Sequence, residues 1–168
     1  MRSRRHVPPV LPVVQQNSAT SRASFSIPPV TWLFLRGFGA LAVLATGIVH
    51  LQEYFGPYSA IPTIGTLFLV NFAAATAASV VLLAPVEHLA GRWGGPVVLS
   101  ALAGGILLAA TSYVMLLISE RRPLFGFQEP GYDPTAIAAS RYFEIATVAL
   151  LGAALALRFA TPGPKRRW

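Results

Sequence analysis

The sequence predicts an all-α membrane protein, a four-transmembrane-helix bundle with a disordered N-terminal tail. Three observations carry that reading. Hydrophobic residues make up 54% of the 168-residue chain and charged residues only 11%, whereas soluble domains carry about 25% charged residues. The charges gather at the two ends and in short gaps, leaving four long apolar stretches. None of these stretches alternates apolar and polar residues, so helices and not barrel strands are expected to span the bilayer.

The elements follow in order. Residues 1–30 hold Arg2, Arg4, Arg5 and Arg22 among Pro8, Pro9, Pro12, Pro28 and Pro29, with no amphipathic period. Proline removes backbone donors, so this segment reads as a disordered cytoplasmic tail, too long and proline-rich for a signal-peptide n-region. The apolar stretch behind it is longer than a signal-peptide core and is expected to be retained. The transmembrane domain is placed at 31–160, with helices at about 31–55, 62–83, 96–119 and 135–159. Each provides about 20 or more residues, enough to cross ~30 Å of hydrocarbon at 1.5 Å per residue. Pro62 suits a first helical turn. Residues 161–168 form a basic cytoplasmic tail.

Orientation comes from the basic residues. Arg2, Arg4, Arg5, Arg22, Arg36, Arg92, Arg158, Lys165, Arg166 and Arg167 fall on the side of the termini and the 85–95 loop. Arg121, Arg122 and Arg141 fall on the other. Of the acids, Glu87 alone lies on the basic side. The positive-inside rule then puts both termini in the cytoplasm of a multi-pass cell (plasma) membrane protein. Trp32 and Trp93 are expected at the inner interface, and Tyr54, Phe55 and Tyr58 at the outer one. The 85–95 loop, with Gly91, Gly94, Gly95 and Pro96, suits a tight helical hairpin. The longer loop from Glu120 to Pro134 carries Phe125, Phe127 and Tyr132, and is expected to fold back over the bundle mouth with the 52–61 loop.

Composition also excludes functions. A net charge of +7 suggests nucleic acid, yet the charge sits in tails and at helix ends rather than on a folded stripe, so no nucleic-acid partner is expected. The lipid bilayer is the expected partner, including contact of the tails with anionic headgroups. The chain has no cysteine, which removes disulfides, thiolate metal sites and thiol redox chemistry. Small residues suited to close helix packing are Ala73, Ala74, Ala75, Ala77, Ala78 and Ser79, then Gly104, Gly105 and Ala109, then Gly152, Ala153 and Ala156. The same residues could serve a homo-oligomer interface.

Polar residues inside the spans are costly in lipid and point to function. His50 lies ~8 Å below Phe55, Asn71 roughly 12 Å inward of Pro62, and Tyr113 about 9 Å inward of Ser119. Glu144 lies about 13 Å inward of Thr135, with Arg141 one turn above it. All four helices thus place a polar group at similar depth in the outer half. With Tyr54 they make the candidate ligand-binding set: His50, Tyr54, Asn71, Tyr113, Arg141 and Glu144. Each also has a purely structural reading. Arg141 and Glu144, spaced i, i+3, could neutralise each other, and Arg141 could snorkel outward. His50 could bond a backbone carbonyl, Asn71 could bridge helices, and Tyr113 could anchor at an interface. In the inner half, Thr46, Thr76, Ser79, Ser100 and Thr147 are expected to bond back to helix carbonyls, leaving plain packing there.

One histidine and one carboxylate fall short of a metal site unless Glu53 or a second protomer contributes. Haem ligation lacks a second axial histidine, since His88 lies on the opposite side and His6 in the tail. No cofactor and no catalytic constellation is therefore expected. The leading expectation is a non-enzymatic protein whose outward-opening polar cluster binds a small or lipidic ligand. A quinone-linked redox component and a small proton-coupled transporter stand as alternatives.

Several runs extend this reading: Gly47-Ile48-Val49-His50-Leu51, then Tyr54, then Ile61-Pro62-Thr63-Ile64-Gly65-Thr66-Leu67-Phe68-Leu69-Val70-Asn71, then Leu124-Phe125-Gly126-Phe127-Gln128-Glu129, and Glu144. Over about residues 35–160 the chain resembles a group of small four-helix integral membrane proteins of actinobacterial type. The resemblance implies the same fold and carries no activity with it.

Overall fold

The computed structural model describes residues 29–160, and the fold within them is all-α. Most of the 1–30 tail and all of the 161–168 tail lie outside the described residues. The long helices are α1 (Pro29–Phe55), α2 (Pro62–Leu83), α4 (Gly94–Ser119) and α5 (Pro134–Ala160), with a one-turn helix α3 (Val86–Leu89) between α2 and α4. All four long helices are long and apolar enough to cross a membrane. Their bounds match the expected spans to within two residues. α2 and α4 are apolar nearly all round, as suits helices bathed by lipid on one side and packed on the other.

The chain runs up and down, so both ends of the described segment and the α2–α4 connection lie at one end of the bundle. This is the termini end. The α1–α2 and α4–α5 connections form the loop end. α1 packs on α2 and α5, α4 packs on the same two, and α1 and α4 barely touch, which makes a four-cornered bundle.

Buried residues recur at steps of three and four along each inward face. On α5 they are Ala136, Ser140, Glu144, Thr147, Leu151 and Ala154, and on α2 the row includes Asn71, Ala75, Ser79 and Leu82. The apolar core gathers in the termini half, where Ala40, Leu82, Val98, Leu102, Leu151 and Ala154 pack together. Close approach is set by small residues, though not by all those expected. A Cβ on Gly47 would stand 2.8 Å from the Ala75 Cβ, and one on Gly105 would stand 2.8 Å from Leu151. Gly104 and Gly152 face open space, and Ala73, Ala74, Ala77 and Ala156 are exposed. Gly47 on α1 belongs to the packing set as well, beyond the small residues of the other three helices.

Two further expectations change. The 85–95 segment is more than a tight turn: it holds α3 and a 3-10 turn at Gly91–Trp93, and Gly94 to Pro96 already belong to α4. Gly94 lets the chain cross itself, since a Cβ there would lie 2.5 Å from the Glu87 Cα. The termini half is also not plain packing. Arg36 is buried, and its Nε donates to Leu82 O at 2.5 Å and its Nη2 to Ala84 O at 2.7 Å. Its Nη1 meets Glu87 Oε2 at 2.7 Å, Arg158 reaches the other Glu87 oxygen at 3.7 Å, and Trp32 covers the guanidinium. Glu87, the one acid placed on the basic side, is the partner that lets Arg36 be buried. Thr46 bonds back to Ala42 O at 3.2 Å as expected. The Thr76, Ser79 and Thr147 hydroxyls are buried without a partner.

Candidate functional site

The inward rows that build a tight core in the termini half carry bulkier and more polar residues in the loop half. There the four helices enclose a cavity of about 220 Å³. Its walls are mainly apolar, from residues such as Ile64, Phe68, Leu108 and Met115. Into it project three of the residues marked by depth in the sequence: His50, Asn71 and Glu144.

Each is held by a neighbour that leaves one polar atom free. His50 Nδ1 donates to Thr46 O at 2.9 Å, because a carbonyl can only accept. In the neutral ring this leaves Nε2 as an acceptor, and the ring stands edge-on to Phe68 at 5.0 Å. Asn71 Nδ2 donates to Ser112 Oγ across the α2–α4 seam at 2.5 Å, and Asn71 Oδ1 is buried with no partner. Ser140 Oγ donates to Glu144 Oε1 at 3.0 Å, while Glu144 Oε2 has none. Glu144 is 1% exposed and Asn71 5%. Buried acceptors of this kind are costly to leave unmatched.

The α4–α5 loop folds back over the loop end. Leu124 and Phe127 exchange backbone hydrogen bonds at 2.7 and 3.0 Å, and the Glu129 N–H donates to Ser119 O at 3.0 Å. Glu129 Oε1 accepts from the Gly131 and Tyr132 amides at 2.8 and 3.2 Å. Its other oxygen accepts from the Tyr58 hydroxyl, reached from the α1–α2 connection. Tyr58, in the loop-end connection, is buried between Phe68 and Phe127. Burial, then the Glu129 hydrogen bond and charge, push the Tyr58 phenol well above its usual pKa of 10.0.

The other three candidate residues lie elsewhere. Arg141 does not neutralise Glu144: its guanidinium pairs with Glu120 at the end of α4, where both groups keep partial contact with solvent. Reaching outward avoids the cost of burying a second charge. Tyr113 is turned off the cavity, whose α4 wall is made by Thr111, Ser112 and Met115. Tyr54 lies edge-on to Phe55 and near Gly65, also off the cavity. In their place stand Tyr58, Ser112, Glu129 and Ser140. Ser140 could have been found from its i−4 spacing to Glu144; the Tyr58–Glu129 pair spans 71 residues and has no local signal.

Among the described residues, no three His, Asp or Glu side chains are grouped to hold a metal ion. The arrangement offers hydrogen-bond acceptors within a mainly apolar chamber, a layout suited to holding a polar group attached to an apolar body. Comparison with protein-family models, curated proteins and solved structures finds no match to this chain, so its functional reading rests on this cavity.

Proposed function

We propose that the chain is a multi-pass cell-membrane protein, both termini cytoplasmic, that binds a small or lipidic molecule in the loop-half cavity and does not transform it. One observation carries the reading: two buried acceptors, Glu144 Oε2 and Asn71 Oδ1, face the same chamber without protein partners. The resemblance to small actinobacterial four-helix proteins fits this reading and adds no activity. Binding is favoured over passage because the packed core of Leu82, Leu102 and Leu151 lies between the cavity and the termini end.

The test is organic extraction of the purified full chain followed by mass spectrometry, beside the doubly substituted Asn71→Leu, Glu144→Gln protein. A molecule should co-purify with the natural chain and fall about tenfold or more in the variant, since each lost hydrogen bond to a buried group is worth about 1–3 kcal/mol. Equal extracts from two folded proteins would overturn the reading.

A further inference from the structure

We propose that the cavity takes a single-chain amphipath with a hydrogen-bond-donating head that is not anionic, and that this molecule enters sideways from the bilayer between α2 and α4. The proposal rests on the binding reading above and adds a ligand class and a route.

The route follows from exposure. Among the described residues lining the cavity, only Val70 and Thr111 are exposed. Val70 lies on α2, 56% exposed, and Thr111 on α4. The α2–α4 seam is the most thinly packed of the four. The loop end is covered by Tyr58, Phe127 and Glu129. Val70 also lies roughly 12 Å along α2 from its start at Pro62. Val70 and Thr111 therefore face acyl chains, and a molecule passing between them comes from the lipid.

Size sets the shape of the ligand. A cavity of about 220 Å³ exceeds the ~150 Å³ that holds a benzene ring. It falls short of the ~300–1,000 Å³ of sites that enclose a whole drug-sized molecule. A headgroup or ring fits inside, and a tail must leave through the seam.

Polarity sets the chemistry of the head. The free atoms are the carboxyl oxygen Glu144 Oε2, Asn71 Oδ1 with its amide placed to donate to Ser112, and His50 Nε2, an acceptor in the neutral ring. Glu53, Glu129 and Glu144 line the cavity, and among the described residues no Lys or Arg does. A phosphate, sulfate or carboxylate head would meet acceptors and acids with no cation to balance it. An amine or alcohol head would donate to them, the amine gaining charge-assisted bonds.

The experiment is native mass spectrometry of the detergent-solubilised full chain with four probes: dodecylamine, dodecanol, dodecyl sulfate and butylamine. Three proteins are compared: the natural chain, Asn71→Leu with Glu144→Gln, and Val70→Trp with Thr111→Trp. The tryptophans replace exposed side chains, and equal melting temperatures establish that the variants fold. Dodecylamine and dodecanol should bind the natural chain at least tenfold more than dodecyl sulfate or butylamine. Both double variants should lose that binding by about tenfold. Equal binding of dodecyl sulfate, or binding unchanged by the two tryptophans while the cavity variant loses it, would overturn class or route and leave the binding reading standing. Retention of dodecylamine by the cavity variant, or no binding of any probe to the natural chain, would overturn both.

Discussion

At the scale of single residues, Gly47 and Gly104 look alike in the sequence and behave oppositely in the bundle. A methyl on Gly47 would meet the Ala75 Cβ at 2.8 Å, and alanine has no rotamer by which to yield. Gly47→Ala should therefore force α1 and α2 apart and destabilise by about 1–3 kcal/mol. A methyl on Gly104 meets nothing within 4 Å, so Gly104→Ala should be neutral or stabilise by about 0.5–1 kcal/mol through helix propensity. Melting both variants in one detergent checks the pair, and equal shifts would refute it. Composition indicates that small residues will pack, but not which glycine faces a neighbour, because that depends on helix rotation. The same limit applies to the candidate site. Of the residues that depth along each span singles out, His50, Asn71 and Glu144 line one chamber, whereas Tyr113, at comparable depth, is turned off it.

Among the elements, the cap joins two connections that are far apart in the chain through the Tyr58–Glu129 hydrogen bond. Tyr58→Phe should cost about 1.5–3 kcal/mol, the range for a bond to a charged group, and should speed amide exchange in the 120–133 loop. Its pH dependence has a definite sign. The folded phenol holds its proton above the usual 10.0, so the folded state binds that proton more tightly than the unfolded chain does. This contribution is complete below pH 10 and is lost as pH rises beyond it. The natural protein should therefore lose more stability between pH 9 and 11 than Tyr58→Phe, a difference that thermal melts would read and equal losses would contradict. The long helices were legible because span length and apolar continuity are local properties. Arg141 carries two local readings, pairing with Glu144 at i, i+3 or reaching outward, and it reaches outward, to Glu120 just past the end of α4. Partners 21 residues apart, like the 51 that separate Arg36 from Glu87, are set by packing and leave no spacing to read.

For the whole molecule, the two ends differ in what holds them: a buried charge network and apolar core at the termini end, and a capped chamber at the loop end. The absence of cysteine makes the proposed orientation simple to test with single substitutions at the exposed Ser59 and His88. On intact cells an impermeant maleimide should label Ser59→Cys, and should label His88→Cys only after permeabilisation. The reverse pattern would overturn the positive-inside assignment. Arg36 adds a constraint on biosynthesis. Its guanidinium sits on the first helix to be made, yet the groups that satisfy it, Leu82 O, Ala84 O and Glu87, are translated about fifty residues later. An isolated first helix would hold an unmatched charge near the membrane boundary, where moving inward is costly. In the folded bundle the depth of α1 is thus tied to α2 and the turn behind it, and the first two helices are expected to settle into the bilayer as a joined pair.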